Sequence, residues 1–248
     1  MHRFFAENEN DRIVLRAEDA QHALRVLRLS EGDEIEIVLD GERFRAEIQD
    51  CTDGKVFVSA GDSLVNTEPS VSVTLYQGLP KADKMEWIVQ KCTELGVSRI
   101  QPVLMQRCIM HSDEKAAARK MERLCKIAGE AVKQCGRIRS PEIGIPKVLA
   151  KLETEMNSLD LLLVPWEEEE PGCGGMRGLL EELKKQNPEK NLKIGIVIGP
   201  EGGICADEVE WLRNMKARTV SLGPRILRTE TAAITSVALA LAYCGEME

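Results

Sequence analysis

Two short stretches near the end of the chain combine residue types that do chemistry. "IGPEGGIC", Ile198 to Cys205, closes an apolar run and sets one carboxylate, Glu201, between a proline and two glycines. "LGPRILRTETA", Leu222 to Ala232, sets Arg225 and Arg228 around Ile226 and Leu227, then adds Thr229, Glu230 and Thr231. The first has the outline of a nucleotide loop without its donors. A dinucleotide fingerprint laid on Gly199 needs glycines where Glu201 and Ile204 stand, and no Walker-type lysine follows. Pro200 removes a backbone N–H, and Glu201 repels phosphate. The remaining glycines still allow positive φ and close backbone approach. The loop therefore suits an uncharged or cationic ligand, or it is a plain strand-to-helix turn. In the second stretch the aliphatics can wall an apolar pocket while the arginines face a polyanion or a reacting base. Thr229 or Thr231 can cap the helix that follows.

The elements that position these loops belong to an α/β pattern. From residue 71 strands and helices alternate, through "VSVTLYQG", "KMEWIVQKCTELG", "RIQPVL", "DLLLVP", "KIGIVIG" and "TVSLG" to a final helix "ETAAITSVALALAY". Such alternation predicts a mostly parallel sheet, and ligands sit outside the carboxyl ends of its strands. Three loops meet that condition: 164–175, 198–205 and 222–232. The helix from Lys84 is expected to use Asp83 and Glu86 as a capping box and to end at Gly96. The last helix is apolar all round, so it must be buried on more than one side, and a second subunit is one way to bury it.

Residues 1–66 read differently. Ile35, Ile37 and Leu39, then Phe44, Ala46 and Ile48, then Val56, Val58 and Ala60 alternate with a period of two. Asp-Gly turns separate these runs, and one helix, "AEDAQHALRVLRL", interrupts them. The expectation is a small barrel or sandwich over 1–68, a linker "VNTEPS", and an α/β domain over 71–248.

Composition narrows the functional classes. The 248 residues include 43% apolar residues but only 4% aromatic ones, so the core must be aliphatic. No apolar run is long enough to cross a membrane, and the N-terminus lacks a signal-peptide h-region. Eight cysteines without a C-x-x-C pair read as reduced thiols, giving a cytoplasmic expectation. Three scattered histidines give no metal site. The net charge is −8, all of it in residues 1–70, whereas 115–139 holds eight basic residues against two acidic ones. That run is either a solvated helix face or an attraction for a polyanion.

"KMEWIVQKCTELGVSRIQP", "IGPEGG" and "LGPRILRTETA", in this order behind a small β-domain, resemble the bacterial small-subunit ribosomal RNA uridine-N3 methyltransferases of the SPOUT superfamily. "HALRVLRLSEGDEI" and "RLCKIAGEAVKQCGR" extend the resemblance over nearly the whole chain. It implies a PUA-like RNA-binding barrel joined to a SPOUT domain whose last strands and helix form a deep trefoil knot. It further implies S-adenosylmethionine in the knot and a homodimer with the site near its interface. The substrate would be small-subunit ribosomal RNA or an assembling ribosomal subunit. By the motif match, Gly199, Glu201, Gly202, Gly203, Leu222, Gly223, Ile226 and Leu227 line the cofactor pocket, with Val164 and Pro165 as a further wall. Arg228 is the candidate to stabilise a uracil anion, and Glu230 or Glu201 to accept the N3 proton. Candidate RNA contacts are Arg3, Arg25, Arg28, Arg137 and Arg225, with Phe4 and Phe5 as stacking surfaces. Cys205 stands where a better helix cap is expected, which moves the expected helix start to Asp207. A non-catalytic RNA-binding or assembly factor on the same fold is the alternative. A nicotinamide oxidoreductase fails on the missing fingerprint.

Overall fold

The computed structural model describes residues 1–81, 83–108, 114–169 and 175–247, with side chains described from 118 in the helix that begins at 114. His111, Cys173, the Lys115 side chain and the 170–174 part of the first loop lie outside the described residues. The chain divides into two compact units: residues 1–68 with 132–139, and residues 69–131 with 140–248.

The first unit is a closed barrel of β1 (Arg3–Glu9), β2 (Arg12–Leu15), β3 (Glu34–Leu39), β4 (Glu42–Thr52) and β5 (Lys55–Leu64), in the order β1-β2-β5-β4-β3. The period of two puts Phe4, Ala6, Ile35, Ile37, Ala46, Ile48, Val56 and Val58 inside. Both Asp-Gly turns use the left-handed region, with φ of 51° and 81° at Asp40-Gly41 and 54° and 75° at Asp53-Gly54. The expected single helix is α1 (Ala17–Gln21) followed by a π-helical turn over His22–Leu27, which ends where Arg28 turns left-handed at φ 55°.

Residues 132–139 join this unit through charge. Lys133 pairs with the buried Asp19 at 2.8 Å, and Arg137 pairs with Glu68 at 2.6 Å. The same Glu68 carboxylate accepts the backbone N–H groups of Ile138 and Arg139. Arg137 is only 5% exposed, which corrects its assignment as an RNA contact: its guanidinium is spent on Glu68. Arg3 is likewise committed, sharing one oxygen of Glu36 with Arg43 at 2.6 Å each. Phe4 is buried edge-on to His22 and offers no stacking face. Arg25 and Arg28 are exposed.

The second unit runs β6 (Ser72–Gly78), α2 (Lys84–Leu95), β7 (Arg99–Leu104), α3 (Glu114–Cys135, its last turn belonging to the first unit), β8 (Glu142–Ile143) and β9 (Lys147–Val148). It continues through α4 (Glu153–Met156), β10 (Leu161–Pro165), α5 (Met176–Gln186), β11 (Lys193–Ile198), α6 (Ala206–Asn214), β12 (Arg218–Val220) and α7 (Thr229–Tyr243). The sheet order is β12-β10-β11-β6-β7-β8, with β9 beside β7 and every pairing parallel. Central β11 is apolar on both faces, as a doubly covered strand must be. Ile194, Ile196 and Ile198 pack in one layer with α2 and α7, and Val197 packs in the other with Tyr76, Val164 and Leu212. No helix among the described residues is long and apolar enough to cross a membrane.

Helix starts depart from expectation in detail. α2 does follow Asp83 and end at Gly96 (φ 115°), but Asp83 makes no side-chain cap. Glu86 turns to Arg123 at 2.7 Å instead of reaching back. α6 starts before Asp207, because Cys205 is its N-cap and Glu208 accepts the Cys205 N–H at 3.2 Å. α7 has Arg228 as N-cap with no side-chain cap, so neither threonine caps it.

Candidate functional site

Parallel pairing brings the carboxyl ends of β6, β10, β11 and β12 to one edge of the sheet, and the candidate loops start there. The turn after β11 is tightly built. Gly203, at φ 73°, donates its N–H to the Pro200 carbonyl at 2.9 Å. Gly199 lies so close to Gly203 and Ile204 that a Cβ would come within 2.8 Å of the Gly203 carbonyl carbon. Gly78, the last residue of β6, lies against the Pro200 ring, where a Cβ would come within 2.7 Å of Cδ. Each glycine is required by close approach.

Glu201 is held inside the unit. Its carboxylate accepts the Lys81 N–H at 3.0 Å and pairs with the Lys84 ammonium at 3.0 Å. Burial pushes this carboxyl up, but the hydrogen bonds from Lys84 and the backbone outweigh it, and the net shift is downward. Lys84 also faces Glu230 at 3.5 Å, and its own pKa is raised, chiefly by the Glu201 hydrogen bond. One ammonium thus bridges the two carboxylates taken as candidate proton acceptors.

The turn after β11 and the segment after β12 enclose a cavity of about 370 Å³, lined by Lys84, Pro165, Glu167, Gly199, Pro200, Glu201, Gly203, Ile226, Leu227 and Arg228 among others. A smaller recess of about 70 Å³ adjoins it, lined by Trp166, Leu222, Gly223 and Arg225 together with Pro165, Ile226 and Leu227. Most expected pocket residues therefore converge. Val164 does not: it is fully buried in the core layer, its side chain turned away by strand alternation. The Gly202 carbonyl faces outward and accepts from Arg107 at 2.7 Å. Glu230 is not among the residues that line the cavity and faces the lining Lys84 at 3.5 Å. Arg228 lines the cavity, and its guanidinium makes no hydrogen bond or ion pair among the described residues. Burial raises the Cys205 thiol, so it is a poor nucleophile. No group of metal-ligating side chains occurs among the described residues.

Sequence reasoning missed Lys84, Glu167 and the buried Gln77. The carboxyl-end rule would have found Lys84, because the loop after β6 leaves the same sheet edge.

The family model for the RNA methyltransferase domain matches residues 67–241, and the RNA methyltransferase PUA domain matches residues 15–60. Over 257 residues the chain is 34% identical to Ribosomal RNA small subunit methyltransferase E of Bacillus subtilis, covering 100% of this chain and 98% of that protein. The protein of the same name from Rickettsia conorii is 31% identical, with 96% and 94% covered. A Legionella pneumophila structure solved with the bound cofactor SAM has a TM-score of 0.74 at 32% identity, covering 97% of this chain and 96% of that one. With the RNA methyltransferase domain model matching more than half of this chain, behind a matching PUA domain, the chain belongs to the RNA methyltransferase family.

Proposed function

We propose that this protein transfers the methyl group of S-adenosylmethionine to N3 of a uridine in small-subunit ribosomal RNA, as a cytoplasmic homodimer. The observation that carries this reading is the single cavity of about 370 Å³ into which the Gly199–Gly203 turn and the Ile226–Arg228 segment both open. Its chemistry fits the cofactor. The glycine turn offers backbone at close range, Pro165, Ile226 and Leu227 offer apolar faces for an adenine ring, and carboxylates tolerate a cation. When bound, the cofactor supplies a methyl group on a positively charged sulfur.

The chain's own groups handle the other reactant. Uracil N3–H is a weak acid, so attack needs the proton gone or the anion stabilised. Arg228, whose side chain has no partner among the described residues, donates to a uracil carbonyl as charge develops. Glu230 or Glu201 accepts the proton, and Lys84 holds both in place. N3 lies on the pairing edge, so the base enters unpaired or flipped. Exposed Arg25, Arg28 and Arg225 are available to phosphates.

Two further parts of the reading are assembly and threading. Ile226 is 89% exposed at the cavity rim, and α7 leaves Ile234 and Leu239 half-buried, which supports a second subunit over this side. After β12, at the sheet edge beyond β10, the chain returns to pack α7 on β6 and β11, which supports the trefoil knot. The test is calorimetry with S-adenosylmethionine, followed by methylation of ribosomal RNA from a deletion strain with the modified base mapped. Saturable binding and a single N3-methyluridine are expected. Absence of cofactor binding at high micromolar concentration would leave only a non-catalytic RNA-binding role.

A further inference from the structure

In the cavity wall, where Gly199 and Thr229 line it, lies a buried polar cluster that the proposed chemistry does not use. Thr229 Oγ1 donates to the Gly199 carbonyl at 2.6 Å and accepts from Gln77 Nε2 at 2.9 Å. Gln77 Nε2 also donates to the Gly78 carbonyl at 2.9 Å and approaches Gly199 O at 3.4 Å. Gln77 is 0% exposed and Thr229 is 5% exposed. The amide orientation is dictated by its surroundings, since a flip would set Gln77 Oε1 against two carbonyls. In the observed orientation Oε1 has no hydrogen-bond partner among the described residues, so the cluster persists despite a buried acceptor left without one there.

The three residues come from the end of β6, the turn after β11 and the first position of α7. Thr229 lies 30 residues from Gly199 and 152 from Gln77 in sequence. The bonds therefore lock together the two walls of one cavity. Arg228 immediately precedes Thr229 as the N-cap of α7. Its side chain has no internal partner among the described residues, so only its backbone sets where the guanidinium starts. That backbone is pinned at Thr229.

We propose that Thr229 and Gln77 are positioning residues for methyl transfer, fixing Arg228 relative to the Gly199–Gly203 turn through the Gly199 carbonyl. The inference rests on the methyltransferase reading above. Thr229→Val keeps the shape and removes the hydroxyl; Thr229→Ser keeps the hydroxyl. At saturating cofactor and RNA, Thr229→Val is expected to slow single-turnover methyl transfer by up to about 100-fold, the loss that misplacement on the order of 1 Å produces. Cofactor affinity should change much less, and Thr229→Ser should restore most of the rate. The decisive measurement is a double-mutant cycle with Arg228→Ala. If Thr229 acts through Arg228, Thr229→Val causes little further loss in the Arg228→Ala enzyme. Equal losses in both backgrounds would overturn the proposal, as would a Thr229→Val enzyme with unchanged rate. Thermal unfolding of each variant, with Thr229→Ser as the mild replacement, separates misfolding from misplacement. A wild-type protein that transfers no methyl group sinks the parent reading instead, whereas wild-type turnover with an additive cycle sinks only this one.

Discussion

Gly78→Ala tests whether the cavity depends on the contact between the end of β6 and the Pro200 turn. The added Cβ would sit 2.7 Å from both Cδ and N of Pro200, and 3.0 Å from the Gly199 carbonyl carbon. Reaching ordinary packing at 3.4 Å requires a retreat of about 0.7 Å. The obstructing atoms are a ring and backbone rather than a flexible side-chain end, and Gly199 is itself held by Thr229. The strain must therefore move the turn as a unit. Overpacking of this kind costs about 1–3 kcal/mol, which lowers Tm by about 2–12 °C for a domain of this size. The displaced turn carries Glu201, so cofactor affinity should fall more than stability alone would require. The assay is a thermal melt followed by calorimetry with S-adenosylmethionine at a temperature where the variant is fully folded. Wild-type affinity in a folded Gly78→Ala protein would refute the claim that this close approach shapes the site.

Three further outcomes follow from other contacts. Arg228→Ala should abolish most methyl transfer while leaving calorimetric cofactor affinity nearly intact; equal losses in both would show that the guanidinium holds the cofactor. Arg137→Ala leaves the half-buried Glu68 carboxylate with only the Ile138 and Arg139 N–H groups to hold its charge and should cost about 3 kcal/mol in denaturant unfolding of the barrel unit. Glu36 sits between Arg3 and Arg43: burial pushes its carboxyl up, but the hydrogen bonds from Arg43 and Arg3 outweigh this and lower it. A depressed carboxyl stabilises the fold above its unfolded pKa, and that contribution is lost as pH falls through the folded value. Urea midpoints between about pH 5 and pH 3 should fall less steeply in Glu36→Gln than in the wild type.

The barrel was legible because period-two burial and Asp-Gly turns act locally, and Asp40 and Asp53 adopt the positive φ such turns require. Phe4 was misjudged although the same periodicity, Phe4 then Ala6, already points it inward. The parallel sheet was legible from alternation, and the carboxyl-end rule located both walls of the cavity. Val164 was not separable from Pro165, because adjacent strand residues face opposite sides and only the sheet decides which side is core. The burial of Arg137 had no sequence signal: its partner Glu68 is 69 residues away, and in isolation it reads as one more charge in a basic run. The sequence boundary near residue 68 likewise missed that 132–139 belongs with the barrel. Lys84 looked like a solvated lysine at a helix start. Its importance appears only when Glu201 and Glu230 are seen on either side of it.

Those neighbours also decide what kind of ligand the cavity rejects. A phosphate site needs free backbone N–H groups and an uncommitted cation. Pro200 has no N–H, and the Gly203 N–H is taken by the Pro200 carbonyl. Lys84, which in another loop could hold a phosphate, is instead shared between two carboxylates. Arg228 has no ion pair among the described residues, but Glu201 and Glu167 line the same space. Glu201 is already paired with Lys84, so Glu167 is the lining carboxylate with no ion pair among the described residues, and a charge within about 4 Å of it meets roughly 4 kcal/mol, repulsive for an anion and attractive for a cation. The missing N–H at Pro200 and the commitment of Lys84 to Glu201 thus spoil the loop for a nucleotide phosphate while leaving it open to a ligand that carries none. In the proposed reaction, Arg228 is then left to meet the negative charge that develops on the other reactant.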